Sequence, residues 1–379
     1  MHNIIAYVIV LLVGAVVTLV VNRPARAISL RIGYTAQPDE RKVHQTVTPY
    51  GGGAAMLLGF CAALFAALAL GPLHSVITSS HEIFGVVLAA GVIFVVGAVD
   101  DFREMSAPAK VAGQFLAASI LYFSGCTMYQ LKLPFAGFVV LGPSMLPIIT
   151  AVWVFAISNA VNLIDGLDGL AGGIVAIASG TLCVYGLRLE DLGLLPVTNV
   201  GPLIAALTCG ICLGFLRDNV HPAKLFMGDA GALMLGLLMS ASTMVIGGRT
   251  PPASGVTFFF FAPLLIPVFI LGVPLIDAVW AFVRRTASGQ GFHTPDKNHI
   301  HHRLMRLGHG HRRTVYILWL WTVLLCGFVL VPLFQPRASV LIPIGVVVLL
   351  VGLFASFSPL LFRRRAREQS RESVESPLP

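Results

Sequence analysis

Long apolar stretches alternate with short polar segments along almost the whole chain. Each stretch has about 17 to 25 residues, enough for an α-helix to cross the ~30 Å hydrocarbon core of a bilayer. The predicted fold class is therefore an all-α polytopic membrane protein, in which residues 1–361 form a single transmembrane domain. The pattern predicts eleven spans, at residues 3–21, 51–70, 82–99, 108–124, 146–161, 170–187, 200–216, 231–247, 258–283, 315–334 and 339–361.

The positions of the basic residues predict the orientation of these spans. Of the 25 Lys and Arg residues, 21 fall in alternate connecting segments and in the tail 362–379, which we expect to be disordered. Because basic loops stay on the cytoplasmic side, the N-terminus is predicted to lie outside and the C-terminus inside. The first span is followed, but not preceded, by Arg residues, which favours an uncleaved span over a signal peptide. The net charge of +8 reflects this topology and gives no reason to expect nucleic-acid binding.

Carboxylates gather at the predicted inner ends of the spans. Asp100 and Asp101 are adjacent at the end of the third span, and Lys110 opens the next one. Two ionised neighbours repel, so either one pKa is raised or a cation lies close by. Alternatively, the pair caps the following turn in contact with water. Lys110 could hold a phosphate or simply follow the distribution of positive charge.

The stretch "NAVNLIDGLDGLAGG" places four polar residues at intervals of three, against the end of an apolar run: Asn159, Asn162, Asp165 and Asp168. Polar groups next to lipid are costly unless they are satisfied or used. In a 3₁₀ turn, which glycines would permit, the four side chains would stack on one face and bind a ligand. Turn formation and helix capping explain one or two of them equally well.

The segment "PAKLFMGDAG" holds Asp229 between two glycines at a predicted helix start. Carboxylate and amide oxygens suit Mg²⁺, which keeps several waters and bridges phosphate oxygens. Asp229 could instead be an N-cap. Phe226 could stack on a nucleobase or pack at the membrane edge.

Basic and glycine-rich segments complete the inner surface. Gly51–Gly53 follow "KVHQTVTPY" and offer free backbone N–H groups to an anion, although a helix-start turn is an equal explanation. The segment "HIHHR" is a His and Arg cluster that suits pyrophosphate, since neighbouring Lys and Arg residues would repel a zinc ion. A solvated loop is the remaining alternative. Carboxylates for Mg²⁺ and bases for phosphate thus converge on one face, as phosphoryl transfer requires.

Five blocks in order, "TPYGGG", "VDD" with its following Lys, "NAVNLIDGLDGLAGG", "PAKLFMGDAG" and "HIHHR", resemble the bacterial polyprenyl-phosphate N-acetylhexosamine-1-phosphate transferases of the WecA and MraY type. The resemblance runs from about Arg41 to Arg313. It implies transfer of a sugar 1-phosphate from a UDP-sugar to a polyprenyl phosphate, with release of UMP and a requirement for Mg²⁺, for which Mn²⁺ could substitute.

The resemblance also implies roles for individual residues. Catalytic roles fall to Asp100, Asp101 and Asp165, and the metal site to Asp229 and Asn162. Nucleotide contacts fall to Asn159, Asp168, Phe226 and Gly228. Phosphate and sugar contacts fall to Lys42, His44, Thr48, Lys110, His299, His301, His302 and Arg303. We expect direct attack by the lipid phosphate, while a covalent aspartyl-phosphate remains the alternative.

The form "HIHHR" is similar to the N-acetylglucosamine branch, so UDP-N-acetylglucosamine and undecaprenyl or decaprenyl phosphate are the predicted substrates. The alternative is a phospho-N-acetylmuramoyl-pentapeptide transferase. A more remote alternative function is that of an ion-coupled transporter, which would need ionisable groups at mid-membrane. The expected location is the bacterial plasma membrane with the active-site loops 22–50, 100–110, 159–170, 217–230 and 284–313 in the cytoplasm, and the resemblance suggests a homodimer.

Overall fold

The structure is a computed structural model that describes residues 4–36, 47–133, 137–249, 310–334 and 345–353. Over these ranges the chain is almost entirely helical, which confirms the predicted all-α class. The helices are α1 (Ile4–Ile32), α2 (Gly52–Ala69), α3 (Gly71–Thr78), α4 (Glu82–Phe102), α5 (Ala107–Phe123), α6 (Leu146–Ile164), α7 (Leu170–Asp191), α8 (Gly201–Asn219), α9 (Gly228–Gly247) and α10 (His311–Phe334). Residues 345–353 are also helical.

Eight of the described helices are long and apolar enough to cross a membrane. The chain is therefore a multi-pass membrane protein. The ninth predicted span, 258–283, lies outside the described residues, and so does most of the eleventh. The count of eleven spans and the orientation of the termini stay predictions.

Two short antiparallel hairpins lie between the helices. Strands β1 (Thr35–Ala36) and β2 (Thr48–Pro49) pair Thr35 with Pro49. Strands β3 (Gln130–Leu133) and β4 (Gly137–Val140) form the second hairpin. It lies within residues 125–143, a segment whose alternating apolar residues, broken by Gly and Pro, favour a short hairpin.

Helix α9 is the centre of the bundle and packs against α2, α4, α6 and α8. Within its most apolar window 94% of the residues are buried, against 28% for α1. A helix that is apolar all round is covered on every side, whereas α1 leaves one face to lipid. The central helix thus fixes the positions of its neighbours.

Close helix contacts set the relative directions of α4, α6 and α9. A Cβ at Gly97 of α4 would lie 2.4 Å from the backbone nitrogen of Ala230, at the start of α9. A Cβ at Gly236 of α9 would lie 2.4 Å from Cα of Ser158, near the end of α6. The C-terminal ends of α4 and α6 therefore meet the N-terminal end of α9. This brings their polar termini to one end of the bundle.

Candidate functional site

Asp101, at the end of α4, holds the start of α9. Its Oδ1 accepts the backbone N–H of Asp229 at 2.8 Å, and its Oδ2 accepts that of Ala230 at 3.1 Å. The hydroxyl of Tyr34 donates to the same Oδ2 at 2.8 Å. The first N–H groups of a helix lack partners within it, so Asp101 supplies from another helix what an N-cap supplies locally.

Gly228 makes this contact sterically feasible. Its φ is 66°, in the left-handed region, and a Cβ here would lie 2.3 Å from Oδ2 of Asp101. Any side chain would therefore displace the carboxylate from the start of α9. The contact with Asp101 therefore explains why position 228 requires glycine, without any bound nucleotide.

Four residues from four helices form what we call the acid cluster: Asp100, Lys110, Asn162 and Asp229. The ammonium of Lys110 lies 2.7 Å from Oδ2 of Asp100 and also bonds Oδ2 of Asp229. The amide nitrogen of Asn162 lies 3.3 Å from the same oxygen of Asp229. The structure thus brings the two predicted metal-site residues together, with a cation between two carboxylates.

The adjacent carboxylates Asp100 and Asp101 have separate partners. Oδ1 of Asp100 accepts the backbone N–H of Met105 at 2.8 Å, so it also caps the turn after α4. Lys110 is the nearby cation that the repulsion of the pair predicts. Asp100 therefore does both things expected of the pair: it caps the turn after α4, and it pairs with a cation.

The predicted stacking of the "NAVNLIDGLDG" polar residues on one 3₁₀ face is wrong. Asn159 and Asn162 lie in α6, which continues as an α-helix to Ile164, while the two aspartates follow in a turn. Val161 and Ile164 are buried at helical spacing, and this packing keeps the helix regular. Gly169, at φ 80°, then starts α7.

As a result the four polar residues have different environments. Asn159 pairs with Gln114 of α5, with one of its two hydrogen bonds at 3.0 Å, and also donates to the carbonyl of Phe155. It therefore joins two helices one turn away from Asn162. Asn162 belongs to the acid cluster described above.

Asp168 belongs to a second polar group, formed with His221 and His311. Its Oδ2 lies 2.7 Å from Nδ1 of His221 and accepts the backbone N–H of Ala223 at 3.1 Å. The two imidazole rings stack with centroids 4.1 Å apart. Ligand atoms of the three side chains lie within 4.8 Å of one another, so this group could also hold a cation. It links the turn after α6 to the loop 220–227 and to α10.

The pKa of Asp165 is raised well above its ordinary value, first by burial and then by the negative charges of Asp229, Asp101 and Asp168. The three carboxylates around Asp165 therefore add to the effect of burial in favouring its protonated form. Burial and Asp101 also raise the pKa of Tyr34, and burial raises that of Tyr50 to about 12. Both phenols therefore keep their protons at neutral pH.

The loop before α9 is tied to the first hairpin. The N–H of Phe226 donates to the carbonyl of Pro49 at 3.0 Å, and its own carbonyl accepts the N–H of Gly52 at 2.9 Å. The Phe226 ring lies 6.4 Å from that of Tyr50. Thr48 is buried in β2. The hairpin thus brings two aromatic rings close to the start of α9.

Sequence reasoning missed Asn219 and Tyr34. The Asn219 side chain accepts the N–H of Gly169 at 2.9 Å and donates to the carbonyl of Leu225 at 3.0 Å, so it joins two loops of the site. A polar residue at the end of an apolar helix was the available signal. For Tyr34 the sequence carried none, because its partner Asp101 is 67 residues away. Six predicted phosphate and sugar contacts lie outside the described residues: Lys42, His44, His299, His301, His302 and Arg303.

Comparison with known proteins identifies relatives over most of the chain. Residues 83–247 match the profile of glycosyl transferase family 4. The chain is 37% identical over 359 residues to the decaprenyl-phosphate N-acetylglucosaminephosphotransferase of Mycobacterium tuberculosis, covering 93% of this chain and 88% of that protein. It is 36% identical over 318 residues to a probable undecaprenyl-phosphate N-acetylglucosaminyl 1-phosphate transferase of Bacillus subtilis, covering 84% and 81%.

A phospho-N-acetylmuramoyl-pentapeptide-transferase of Clostridioides difficile is 29% identical over 351 residues, covering 87% of this chain and 96% of that protein. The relatives from Mycobacterium tuberculosis and Bacillus subtilis, both named for N-acetylglucosamine, are thus more similar to this chain than the Clostridioides difficile protein is. The matches to the first two relatives cover most of this chain. The chain therefore belongs to glycosyl transferase family 4 and, within it, to the polyprenyl-phosphate N-acetylhexosamine phosphotransferases that these relatives represent.

Proposed function

We propose that this protein transfers N-acetylglucosamine 1-phosphate from UDP-N-acetylglucosamine to a polyprenyl phosphate in the membrane and releases UMP. The relatives from Mycobacterium tuberculosis and Bacillus subtilis carry names for such a transfer. The observation that carries the proposal is the acid cluster, in which Asp100, Lys110, Asn162 and Asp229 meet at one end of a membrane bundle. A water-soluble nucleotide and a lipid phosphate can meet only at such an end.

A divalent cation, Mg²⁺ or in its place Mn²⁺, fits this cluster. Asp229 and Asn162 would hold it, with Asp100 as a further oxygen donor. Their chemistry suits Mg²⁺, which prefers carboxylate and amide oxygens. The gathering of Asp100 and Asp229 around a single described ammonium supports the assignment, because two carboxylates in one cluster favour a further positive charge. When bound, the ion would neutralise charge on the pyrophosphate of the donor.

The lipid phosphate needs little deprotonation to react. A phosphate monoester has its second pKa near ~6, so most of it is a dianion at neutral pH. One of its oxygens attacks the β-phosphorus of the UDP-sugar. The bond from this phosphorus to the bridging oxygen breaks, and UMP leaves with that oxygen. One phosphoanhydride replaces another, which favours direct attack over an aspartyl-phosphate intermediate.

In this reaction the protein side chains position the reacting groups and balance their charge. Lys110, between Asp100 and Asp229, is the described cation best placed to meet a phosphate. Both oxygens of Asp101 already accept hydrogen bonds from Tyr34 and the start of α9. We therefore assign to Asp101 a positioning role, and to Asp100 the part of the pair that acts at the phosphates, by holding Lys110 and the ion.

The eleven-span topology predicts that the acid cluster faces the cytoplasm, where UDP-sugars are made. A bacterial plasma-membrane location agrees with the organisms of the relatives. The homodimer stays a prediction from the family resemblance.

The proposal is tested with purified protein, polyprenyl phosphate and a panel of UDP-sugars, following UMP release. UMP should form with UDP-N-acetylglucosamine, stop on addition of EDTA and resume with excess Mg²⁺. Faster release with UDP-N-acetylmuramoyl-pentapeptide would assign the protein to the other branch. A phosphorylated Asp trapped without lipid would replace direct attack by the covalent route.

A further inference from the structure

A cavity of about 700 Å³ lies between the C-terminal turns of α1 and α8 and the loop 220–227. None of its lining residues belongs to the acid cluster. Four of them are basic: Arg23 and Arg26 on α1, Arg217 on α8 and Lys224 in the loop. Leu19, Val20, Ala27, Leu30 and Leu225 form its apolar walls, and Asn22 and Asp218 complete it.

The close parallel packing of α1 and α8 builds the floor of the cavity. A Cβ at Gly210 would lie 2.3 Å from the carbonyl oxygen of Leu11, and one at Gly214 would lie 2.2 Å from that of Ala15. About two turns further along α1, the Asn22 amide donates to the carbonyl of the same Gly214 at 3.2 Å. Both helices therefore end at the same membrane face.

The charges of the cavity are not balanced within the described part of the chain. Its acidic residue, Asp218, accepts a hydrogen bond from Asn22 at 3.0 Å. No ion pair among the described residues joins Asp218, or any other acid, to one of the four cations. Four basic groups around one cavity repel one another and attract an anion.

An exposed apolar strip leads from the cavity along α1. Leu12, Val16 and Val20 recur every four residues, so they share one face, and their exposed fractions are 53%, 55% and 63%. Leu213 on α8, one turn before Arg217, is 47% exposed. Basic groups beside an exposed apolar strip suit a ligand that has an anionic head and an apolar chain. A small water-soluble anion would use only the basic groups.

We propose that this cavity binds the phosphate head group of an anionic phospholipid, with an acyl chain along Leu12, Val16 and Val20. Basic pockets between transmembrane helices on the cytoplasmic side favour such head groups, and a volume of about 700 Å³ accommodates one.

The bound lipid also reaches the loop that leads into the site. Leu225 lines the cavity, and its carbonyl accepts a hydrogen bond from Asn219. The N–H of Lys224 donates to the carbonyl of Asp218 at 2.7 Å. A head group between Arg217 and Lys224 therefore steadies the loop that positions Phe226.

Native mass spectrometry of the full chain in detergent tests the proposal, with phosphatidylglycerol and phosphatidylcholine of identical acyl chains as probes. The pocket variant Arg23→Gln/Arg26→Gln is compared with Arg31→Gln/Arg313→Gln, which removes the same charge from exposed positions outside the cavity. The wild type should retain one phosphatidylglycerol in preference to phosphatidylcholine. The pocket variant should bind it roughly 25-fold more weakly, since each basic residue near an anionic surface contributes about fivefold. The control variant should bind it as the wild type does.

A second pair, Arg217→Gln/Lys224→Gln, removes the charge of the opposite wall and should give the same loss. Unfolding temperatures measured in phosphatidylcholine establish that each variant is folded. Equal weakening in the control variant, or no preference for phosphatidylglycerol, would overturn the proposal. So would stoichiometric displacement by polyprenyl phosphate together with a raised acceptor KM in the pocket variant, because the cavity would then be the acceptor site.

Discussion

The two ends of the antiparallel pair α4 and α9 differ in how their charges are balanced. At the start of α4 and the end of α9, the Glu82 carboxylate lies 2.6 Å from the guanidinium of Arg249. Arg249 also donates to the carbonyl of Gly125 at 2.6 Å and lies over the Tyr129 ring. One acid meets one base, and both are largely enclosed.

At the other end three carboxylates, those of Asp100, Asp101 and Asp229, lie close together, and the one described ammonium, that of Lys110, bonds Asp100 and Asp229. Backbone N–H groups and Tyr34 satisfy Asp101 without supplying a full positive charge. The same two helices thus carry a neutral pair at one end and a surplus of negative charge at the other. A surplus is a cost to folding, so the comparison indicates that the first end serves stability and the second serves a ligand.

Asp229→Asn should give the largest effect. Losing a charged group that acts at the reacting phosphates lowers kcat by roughly 10²–10³-fold or more. Folding should be almost unchanged, because Asn can still bond Lys110. UMP release and the unfolding temperature measure the two properties. Full activity would refute the metal assignment and remove the difference between the two ends.

Asp101→Asn should mainly reduce stability. An amide has one acceptor oxygen for the three donors that now converge there, so the free energy of unfolding should fall by about 1–3 kcal/mol. Tyr34→Phe removes a single donor and should cost about 0.5–1.5 kcal/mol. Chemical denaturation measures both. If Asp101→Asn kept its stability but lost all turnover, Asp101 would have to act directly on substrate.

Glu82→Gln, at the balanced end, should lower the free energy of unfolding by about 1–2 kcal/mol, between the values for exposed and buried ion pairs. Turnover should stay within about twofold, because this pair is at the far end of both helices. Arg249→Gln serves as the matched partner in a double-mutant cycle. A large fall in kcat with unchanged stability would show that the two ends are coupled.

Asp165→Asn should give the smallest effect on stability, and this effect should depend on pH. Because the folded-state pKa of Asp165 is raised, its contribution to stability is fully present below the ordinary Asp pKa of about 4 and is lost as pH rises through the folded value. In EDTA the variant should therefore unfold at higher temperature than the wild type above that value, and at an equal temperature in acid. The opposite order at high pH would show that Asp165 is favourably paired.

Much of the fold could be predicted because membrane spans are local patterns. The starts and ends of α2, α4, α6 and α9 lie within a few residues of the predicted spans. The meeting of Asn162 with Asp229 agrees with their expected place in one site, and Lys110 beside Asp100 is the nearby cation that was one of two expected ways to balance the carboxylate pair. Their roles stay predictions. The stacked face of Asn159 to Asp168 was wrong, since burial of Val161 and Ile164 kept α6 regular.

By itself the sequence determined the membrane class and which end of the bundle would be acidic, because apolar length and charge placement act within a single segment. Only the tertiary structure decided that Asp101 caps α9 while its neighbour Asp100 meets Lys110, and that Arg23 and Arg217 line one cavity. These contacts join residues more than a hundred positions apart or distinguish two adjacent ones. Helix packing, which depends on close approach at glycines such as Gly97 and Gly214, sets them.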